Sequence, residues 1–227
     1  MTLFKKTLLL VSLAAMVFAL AVQPAGATTY TLSQGNAAIS GYGGPYGTVA
    51  VTVVDPNTAT ITFTALSAGG YNFLFGNGGS VALNVTGTGI GYSNVTGINQ
   101  PQAQGAVCNA GNGFCDPIFN YPNSPTSWQV SQWGTFNFVL NNFDGFNYAF
   151  STLTFTLTNT SGNWLNDADV LTPNAGGNFM ASHIFIANQD WSNTGVTGFA
   201  TTPDGGMTIS LLGLALAGMG LVARRKK

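Results

Sequence analysis

Threonine and apolar residues alternate in two stretches of this chain, and this alternation constrains the fold more than any other feature. The stretches are TATITFTAL at 58–66 and STLTFTLTN at 151–159. Successive side chains of a strand point to opposite faces, so each stretch predicts a strand with an apolar face and a threonine face. The run GTVAVTVV at 47–54 is separated from the first stretch by DPN at 55–57, which predicts a β-hairpin.

Other short apolar runs follow the same period of two, namely GSVALNV at 79–85 and GTFNFVL at 134–140. Their residues expected on the buried face are Val81, Leu83, Val85, Phe136 and Phe138. Clusters of Gly, Asn, Pro and Ser separate the runs, and only 161–170 suggests a helical turn. The pattern predicts an all-β body at residues 28–200, one β-sandwich domain of jelly-roll type.

Positive charge is confined to the two ends of the chain. The cationic residues are Lys5, Lys6, Arg224, Arg225, Lys226 and Lys227. Between Thr28 and Thr202 the chain carries aspartates but no Lys, Arg or Glu. Because Lys and Arg contacts with phosphate dominate nucleic-acid affinity, this composition excludes a nucleic-acid partner. It also excludes a basic patch that would bind an anionic membrane surface.

The first residues have the layout of a secretory signal peptide. A pair of lysines precedes an apolar run at 8–22, and the small-residue segment QPAGA follows it. Ala25 and Ala27 occupy the −3 and −1 positions, which predicts a signal helix in 1–27 and a new N-terminus at Thr28. The expected partners are the Sec export machinery and signal peptidase. An uncleaved anchor helix is the alternative.

The last residues, 201–227, combine an apolar segment with a basic end. Residues 207–223 carry no charge and would be about 25 Å long as a helix, near the minimum that crosses a bilayer. The segment lacks the polar stripe of a soluble helix, so a transmembrane helix is predicted. A positive cluster after such a helix keeps the C-terminus in the cytoplasm. The stop-transfer residues are Arg224, Arg225, Lys226 and Lys227.

A short polar turn, TPDGG, lies just before this helix and consists of Thr202, Pro203, Asp204, Gly205 and Gly206. The turn, the apolar helix and the basic end together resemble the PEP-CTERM sorting signal of Gram-negative and related bacteria. The commonest form of the family's motif is Val-Pro-Glu-Pro. Pro203 and Asp204 match its first Pro and its acidic position, with Asp in place of Glu, whereas Thr202 replaces Val and Gly205 replaces the second Pro. The resemblance implies exosortase, a membrane peptidase that removes the helix, as a partner. A plain C-terminal anchor is the alternative.

The body is similar to a recurrent group of secreted PEP-CTERM proteins. The similar stretches are GPYGTVAVTVVDPNTATITFTAL, YNFLFGNGGSVALNV, FDGF and ASHIFIA. This resemblance implies export and a β-rich fold, and it implies no particular activity.

Cys108 and Cys115 are the only cysteines. An even number of cysteines in an exported chain favours a disulfide, here across a short loop and worth about 2 kcal/mol. Zinc is the alternative, but the only histidine that could join them is His183, so we expect no metal and no cofactor. His183 is expected to be half-buried on a strand. Ser182 would point to the opposite face, which rules out a local Ser–His pair.

Three tryptophans have distinct expected roles. Trp133 begins a strand and should lie in the core. Trp164 in SGNW and Trp191 in NQDW lie in polar loops, where an exposed ring can stack on a sugar while neighbouring amides bond its hydroxyls. We therefore predict glycan binding at Trp164 and Trp191. The alternative is that these rings cover the open ends of the sandwich.

The loops also carry carboxylates that could act in catalysis or hold calcium. The candidates are Asp144, Asp167, Asp169 and Asp190. A glycoside hydrolase requires two carboxylates, one of them with a raised pKa, but Asp is also an ordinary turn former. NDAD at 166–169 and NNFDG at 141–145 contain oxygen ligands for calcium, yet neither has the EF-hand spacing.

These observations predict a non-enzymatic exported protein. It would pass through the inner membrane as a sorting intermediate and then reach the cell surface or extracellular matrix, in association with exopolysaccharide. A carbohydrate-binding module and a secreted hydrolase are the alternatives. The regular alternation of threonine along these strands is also typical of an ice-binding surface, although threonine is common on the solvated face of strands.

Overall fold

The computed structural model describes residues 27–76, 81–99, 128–141 and 145–203. The regular secondary structure of the described residues consists almost entirely of β-strands. They are β1 (Thr28–Leu32), β2 (Gln34–Gly35), β3 (Gly47–Asp55), β4 (Thr58–Ala65), β5 (Ser67–Ala68), β6 (Tyr71–Phe75), β7 (Val81–Leu83), β8 (Gly91–Asn99), β9 (Trp128–Gln129), β10 (Thr135–Phe136), β11 (Phe138–Leu140), β12 (Phe150–Thr158), β13 (Met180–Ala187) and β14 (Asn193–Thr201).

The helical content of the described ranges is limited to single 3₁₀ turns. These turns are Ser40–Tyr42, Ser131–Trp133, Phe146–Tyr148 and Asp167–Asp169. The last turn lies inside the 161–170 segment for which the sequence suggested a helical turn. No helix within the described ranges is long and apolar enough to cross a bilayer.

One antiparallel sheet contains most of the strands and folds over itself into two layers. The first layer has the order β1-β3-β4-β12-β8, and it includes the predicted hairpin of β3 and β4. The second layer is centred on β13, which pairs with β14 on one side and with β6 and β7 on the other. The layers are joined where Phe150 of β12 pairs with Phe75 of β6.

Aromatic rings from both layers meet in a shared core. Phe63 of β4 contacts Phe75 of β6, with ring centroids 5.6 Å apart. Phe155 of β12 stacks on Phe138 of β11 at 5.8 Å, and Tyr92 of β8 also contacts that ring, at 6.0 Å. The apolar side chains of the two alternating stretches are therefore buried between the layers, as their period predicted.

The all-β class is confirmed, and so are the two faces of β4 and β12. Ile61 and Phe63 of β4 are fully buried, while the threonines that alternate with the apolar residues along β4 retain solvent contact. The main strand order, β1-β3-β4-β12-β6-β13-β14-β2, does not establish the predicted jelly-roll connectivity.

The prediction that Phe136 and Phe138 lie in a single strand was wrong. The chain bends at Asn137, so β10 ends at Phe136 and β11 begins at Phe138. The Asn137 side chain accepts from the Val85 amide at 2.7 Å and donates to the Val85 carbonyl at 2.8 Å. The Asn137 side chain thus makes the two hydrogen bonds with Val85 that a peptide group of a neighbouring strand would make. Phe136 consequently lies in a separate apolar cluster on the outside of the second layer, with Trp133 and Ala82.

Several predicted features lie outside the described residues. They are the signal segment up to residue 26 with Ala25, the cysteines Cys108 and Cys115, Asp144, the motif residues Asp204, Gly205 and Gly206, the apolar segment 207–223, and Arg224 to Lys227. At the edges of the described body, β1 begins at Thr28 and β14 ends at Thr201. Thr202 is buried and Pro203 is exposed, so the chain emerges from the fold at the proline.

Candidate binding surfaces

The outer face of the first layer is a regular array of threonines, which we call the threonine face. Its threonines are Thr29, Thr31, Thr48, Thr52, Thr58, Thr60, Thr62, Thr64, Thr96, Thr152, Thr154, Thr156 and Thr158. Each of these side chains is exposed or half-buried. The threonine face therefore presents hydroxyl and methyl groups to solvent across the whole layer.

Strand register places these threonines in rows that run across the strands. One row contains Thr31, Thr48, Thr64 and Thr152. The next contains Thr29, Ala50, Thr62, Thr154 and Thr96. Neighbouring positions lie about 4.8 Å apart across the strands and about 6.7 Å apart along them. The array is therefore periodic in two directions.

The threonine face is uncharged apart from Asp55 at its edge, whose carboxylate accepts from the Thr58 hydroxyl at 2.7 Å. Its other non-threonine members include Ala50, Ser93 and Ile98, which are small or apolar. The Thr62 and Thr154 hydroxyls lie 3.1 Å apart and share a hydrogen bond, which fixes neighbouring side chains at the centre of the array. Asn94, at a bulge in β8, adds an amide that donates to the Thr156 hydroxyl at 3.4 Å.

The second candidate surface is a cleft beside the β5–β6 turn. This cleft has a volume of about 320 Å³ and is lined by residues 67–72 together with Gln189. Tyr71 packs edge-on against Tyr42, with ring centroids 4.9 Å apart. Asn72 joins the cleft to the 188–192 loop, because its amide donates to the Asn188 carbonyl at 3.0 Å. The cleft thus combines a tyrosine ring with amide groups.

Trp191 lies at the tip of the loop next to the cleft. Its backbone has a φ of 66°, and its amide donates to the Asn188 carbonyl at 2.9 Å. The ring is half-buried and packs against an apolar cluster that includes Leu74 and Phe185. Trp191 therefore remains a candidate for contact with a glycan, with part of its ring already used in covering the second layer.

The glycan-binding prediction for Trp164 was wrong. Trp164 is completely buried, and its indole nitrogen donates to the Thr86 carbonyl at 2.9 Å. A ring with no exposed area cannot stack on a sugar. Trp133 is buried as predicted, but it ends the 3₁₀ turn Ser131–Trp133 instead of beginning a strand, and it lies in the cluster on the outside of the second layer.

The described aspartates have structural partners. Asp169 accepts from the Leu165 and Asn166 amides at 3.0 and 3.1 Å, forming a capping box with Asn166. Asp190 accepts from the Ser192 hydroxyl and amide, and these bonds lower the pKa of its carboxyl. A general acid for glycoside hydrolysis needs the opposite shift. No three metal-binding side chains cluster within the described part of the chain.

His183 is half-buried on β13, as predicted, while its neighbour Ser182 is fully buried. The imidazole stacks on Phe199 of β14 at 4.7 Å and lies 5.1 Å from the Phe185 ring. The side chains of His183 and Ser182 thus project to opposite faces of β13, so they do not form a Ser–His catalytic pair.

Sequence reasoning missed the two-dimensional order of the threonine face. The alternation in each strand was visible, but the alignment of the strands depends on the register of β1, β3, β4, β12 and β8. The hairpin turn at 55–57 was the only local signal for that register. Comparisons with protein-family models, characterised proteins and solved structures give no match to this chain.

Proposed function

We propose that this chain is an exported, non-enzymatic surface or matrix protein, sorted through its PEP-CTERM-like C-terminal signal, whose threonine face contacts neutral exopolysaccharide. The observation that carries this proposal is the periodic threonine face, whose centre carries no charge. A flat polymer with many hydroxyls can exchange hydrogen bonds with threonine hydroxyls and pack its C–H groups against threonine methyls. Neither contact requires a charge.

The charge of the body supports a neutral rather than an acidic polymer. Residues 28–202 contain aspartates and no Lys or Arg, so an anionic polysaccharide would meet like charge and find no cation. The outer side of the second layer is covered in part by the segments around Trp133 and Phe146. The threonine face is thus the more continuous hydroxyl surface.

The test is co-sedimentation of the purified exported protein with curdlan, an insoluble neutral glucan, alongside the anionic polymer alginate in gel form. We expect binding to curdlan and none to alginate. Changing Thr154→Lys should weaken curdlan binding about tenfold, because a bulky ammonium at the centre of the array must lose water on contact. Thr172→Lys is the matched control, since Thr172 is exposed on a loop outside the threonine face.

Equal binding of both lysine variants and the unchanged protein would contradict the assignment to the threonine face.

The cleft beside the β5–β6 turn supports a second candidate, a module that binds one sugar unit saturably. In that case Tyr71→Ala would abolish binding and Thr154→Lys would leave it unchanged. Thermal hysteresis that disappears in Thr154→Lys would assign the threonine face to ice instead of glycan.

A further inference from the structure

The carboxylate of Asp167 lies against the first residue of the first strand. One oxygen accepts from the Thr28 backbone nitrogen at 3.2 Å, and the other accepts from the Val53 amide at 2.6 Å. Asp167 is half-buried, and Thr28 pairs with Val51 on β3. The Asp167 carboxylate therefore connects Thr28, the first residue of β1, to Val53, which lies where β3 continues past the pairing with β1.

Local structure holds Asp167 in this position. It begins the 3₁₀ turn Asp167–Asp169, which is closed by the reciprocal capping bonds of Asn166 and Asp169. The Asn166 side chain accepts from the Ala168 amide at 3.0 Å. The Asp167 carboxylate takes no part in the capping box of Asn166 and Asp169. Its two oxygens accept from Thr28 and Val53 instead.

Thr28 is also the residue that signal cleavage after Ala27 would leave at the N-terminus. Its nitrogen would then change from an amide into an α-ammonium group without moving away from Asp167. No Lys or Arg lies between Thr28 and Pro203. The other ionisable groups on the elements packed here are Tyr30 on β1, Asp55 at the end of β3 and Asp169 in the same turn, and none of them supplies a cation.

We propose that Asp167 is the binding site for the N-terminal ammonium group that export processing creates at Thr28. This inference rests on the proposed function, because it requires cleavage after Ala27. Among the described strands, β1 pairs with β3 alone, so its free end would otherwise tend to fray. Processing makes the donor a cation as well, so the bond from an uncharged amide to the carboxylate becomes an ion pair that holds this edge strand in place.

The electrostatic environment agrees with this geometry. Burial raises the pKa of Tyr30, and the negative charge of Asp167 raises it further. The same field favours a protonated amine at Thr28, so the pKa of the α-amine should lie above its ordinary value of about 7.7. The resulting stabilisation is fully present below that ordinary pKa and is lost as the pH rises through the higher pKa of the folded protein.

The absence of lysine from the body provides a direct test. The full chain is produced with its own signal in a Gram-negative host, and the N-terminus of the exported protein is determined first. The native protein is then treated with acetic anhydride near neutral pH, and peptide mass mapping follows acetylation of the Thr28 amine separately from any C-terminal lysine. Asp167→Asn is the test variant, because its amide oxygen can still accept from Val53. Asp55→Asn is the matched control.

We expect the Thr28 amine of the unchanged protein and of Asp55→Asn to react about tenfold more slowly than that of Asp167→Asn, which corresponds to one pKa unit. Equal rates in all three proteins would overturn the Asp167 site and leave export intact. An exported protein cleaved at a residue other than Thr28 would overturn this inference alone, whereas an unprocessed chain retained in the cytosol would overturn the export proposal as well. If Asp167→Asn does not fold, the pH dependence of acetylation in the unchanged protein decides the matter. An amine pKa equal in the native and urea-unfolded protein overturns the site, and a higher native value supports it.

Discussion

Replacing Trp164 with alanine is expected to lower the free energy of unfolding by about 4 kcal/mol. The side chain is completely buried in the shared core, so truncation leaves a large cavity. It also removes the donor to the Thr86 carbonyl, which lies 2.9 Å from the indole nitrogen. Urea unfolding of the exported protein, followed by circular dichroism, measures this change as a lower midpoint with an unchanged slope.

One further variant separates the lost hydrogen bond from the cavity, and another compares Trp164 with a half-buried tryptophan. Trp164→Phe keeps most of the ring and removes the donor, so about 1–2 kcal/mol of destabilisation is expected. Trp191→Ala truncates a half-buried ring and should cost less than Trp164→Ala. A midpoint for Trp164→Ala equal to that of the unchanged protein would show that Trp164 is not a core residue and would revive it as a glycan contact.

Phe155→Ala is expected to destabilise the body by about 3–5 kcal/mol. The ring lies between two other phenylalanines, Phe138 at 5.8 Å and Phe63 at 6.5 Å, and stacks on both. Its loss would remove the ring contacts that β12 makes with β11 and with β4. The same urea titration provides the measurement.

Thr154→Ala is the matched control, because Thr154 precedes Phe155 on β12 and points to the opposite side. Removing its side chain from the threonine face, with the hydrogen bond to Thr62, should change stability by no more than about 1 kcal/mol. Similar destabilisation by the two changes would contradict the separation of β12 into a core face and a solvent face.

The strand pattern of the first layer could be predicted because one side of it faces solvent. In β4 and β12 every second residue is a threonine, so the period itself identifies the buried face. The same rule was incomplete for β7, where Val81, Ala82 and Leu83 are all buried. That strand is covered on both sides, and the residues that cover Ala82 come from the distant segment that contains Val130 and Phe136.

The candidate sites were harder to predict, because their partners lie far away in sequence. The polar neighbours of Trp164 suggested an exposed loop, but the acceptor that permits its burial belongs to Thr86. Asp167 appeared to be a loop carboxylate among several, and only the fold brings it to Thr28 and Val53. Local sequence identified these residues as chemically interesting without determining what they contact.

Intact-mass analysis of the protein recovered outside the cytoplasm tests the central claim most directly. The host should be a Gram-negative bacterium that carries an exosortase. We predict a chain that begins at Thr28, ends close to Pro203 and is two hydrogens lighter than its reduced form because Cys108 and Cys115 are paired. A chain found in the cytosol with both termini intact and both thiols reduced would contradict export, sorting and the Asp167 site at once.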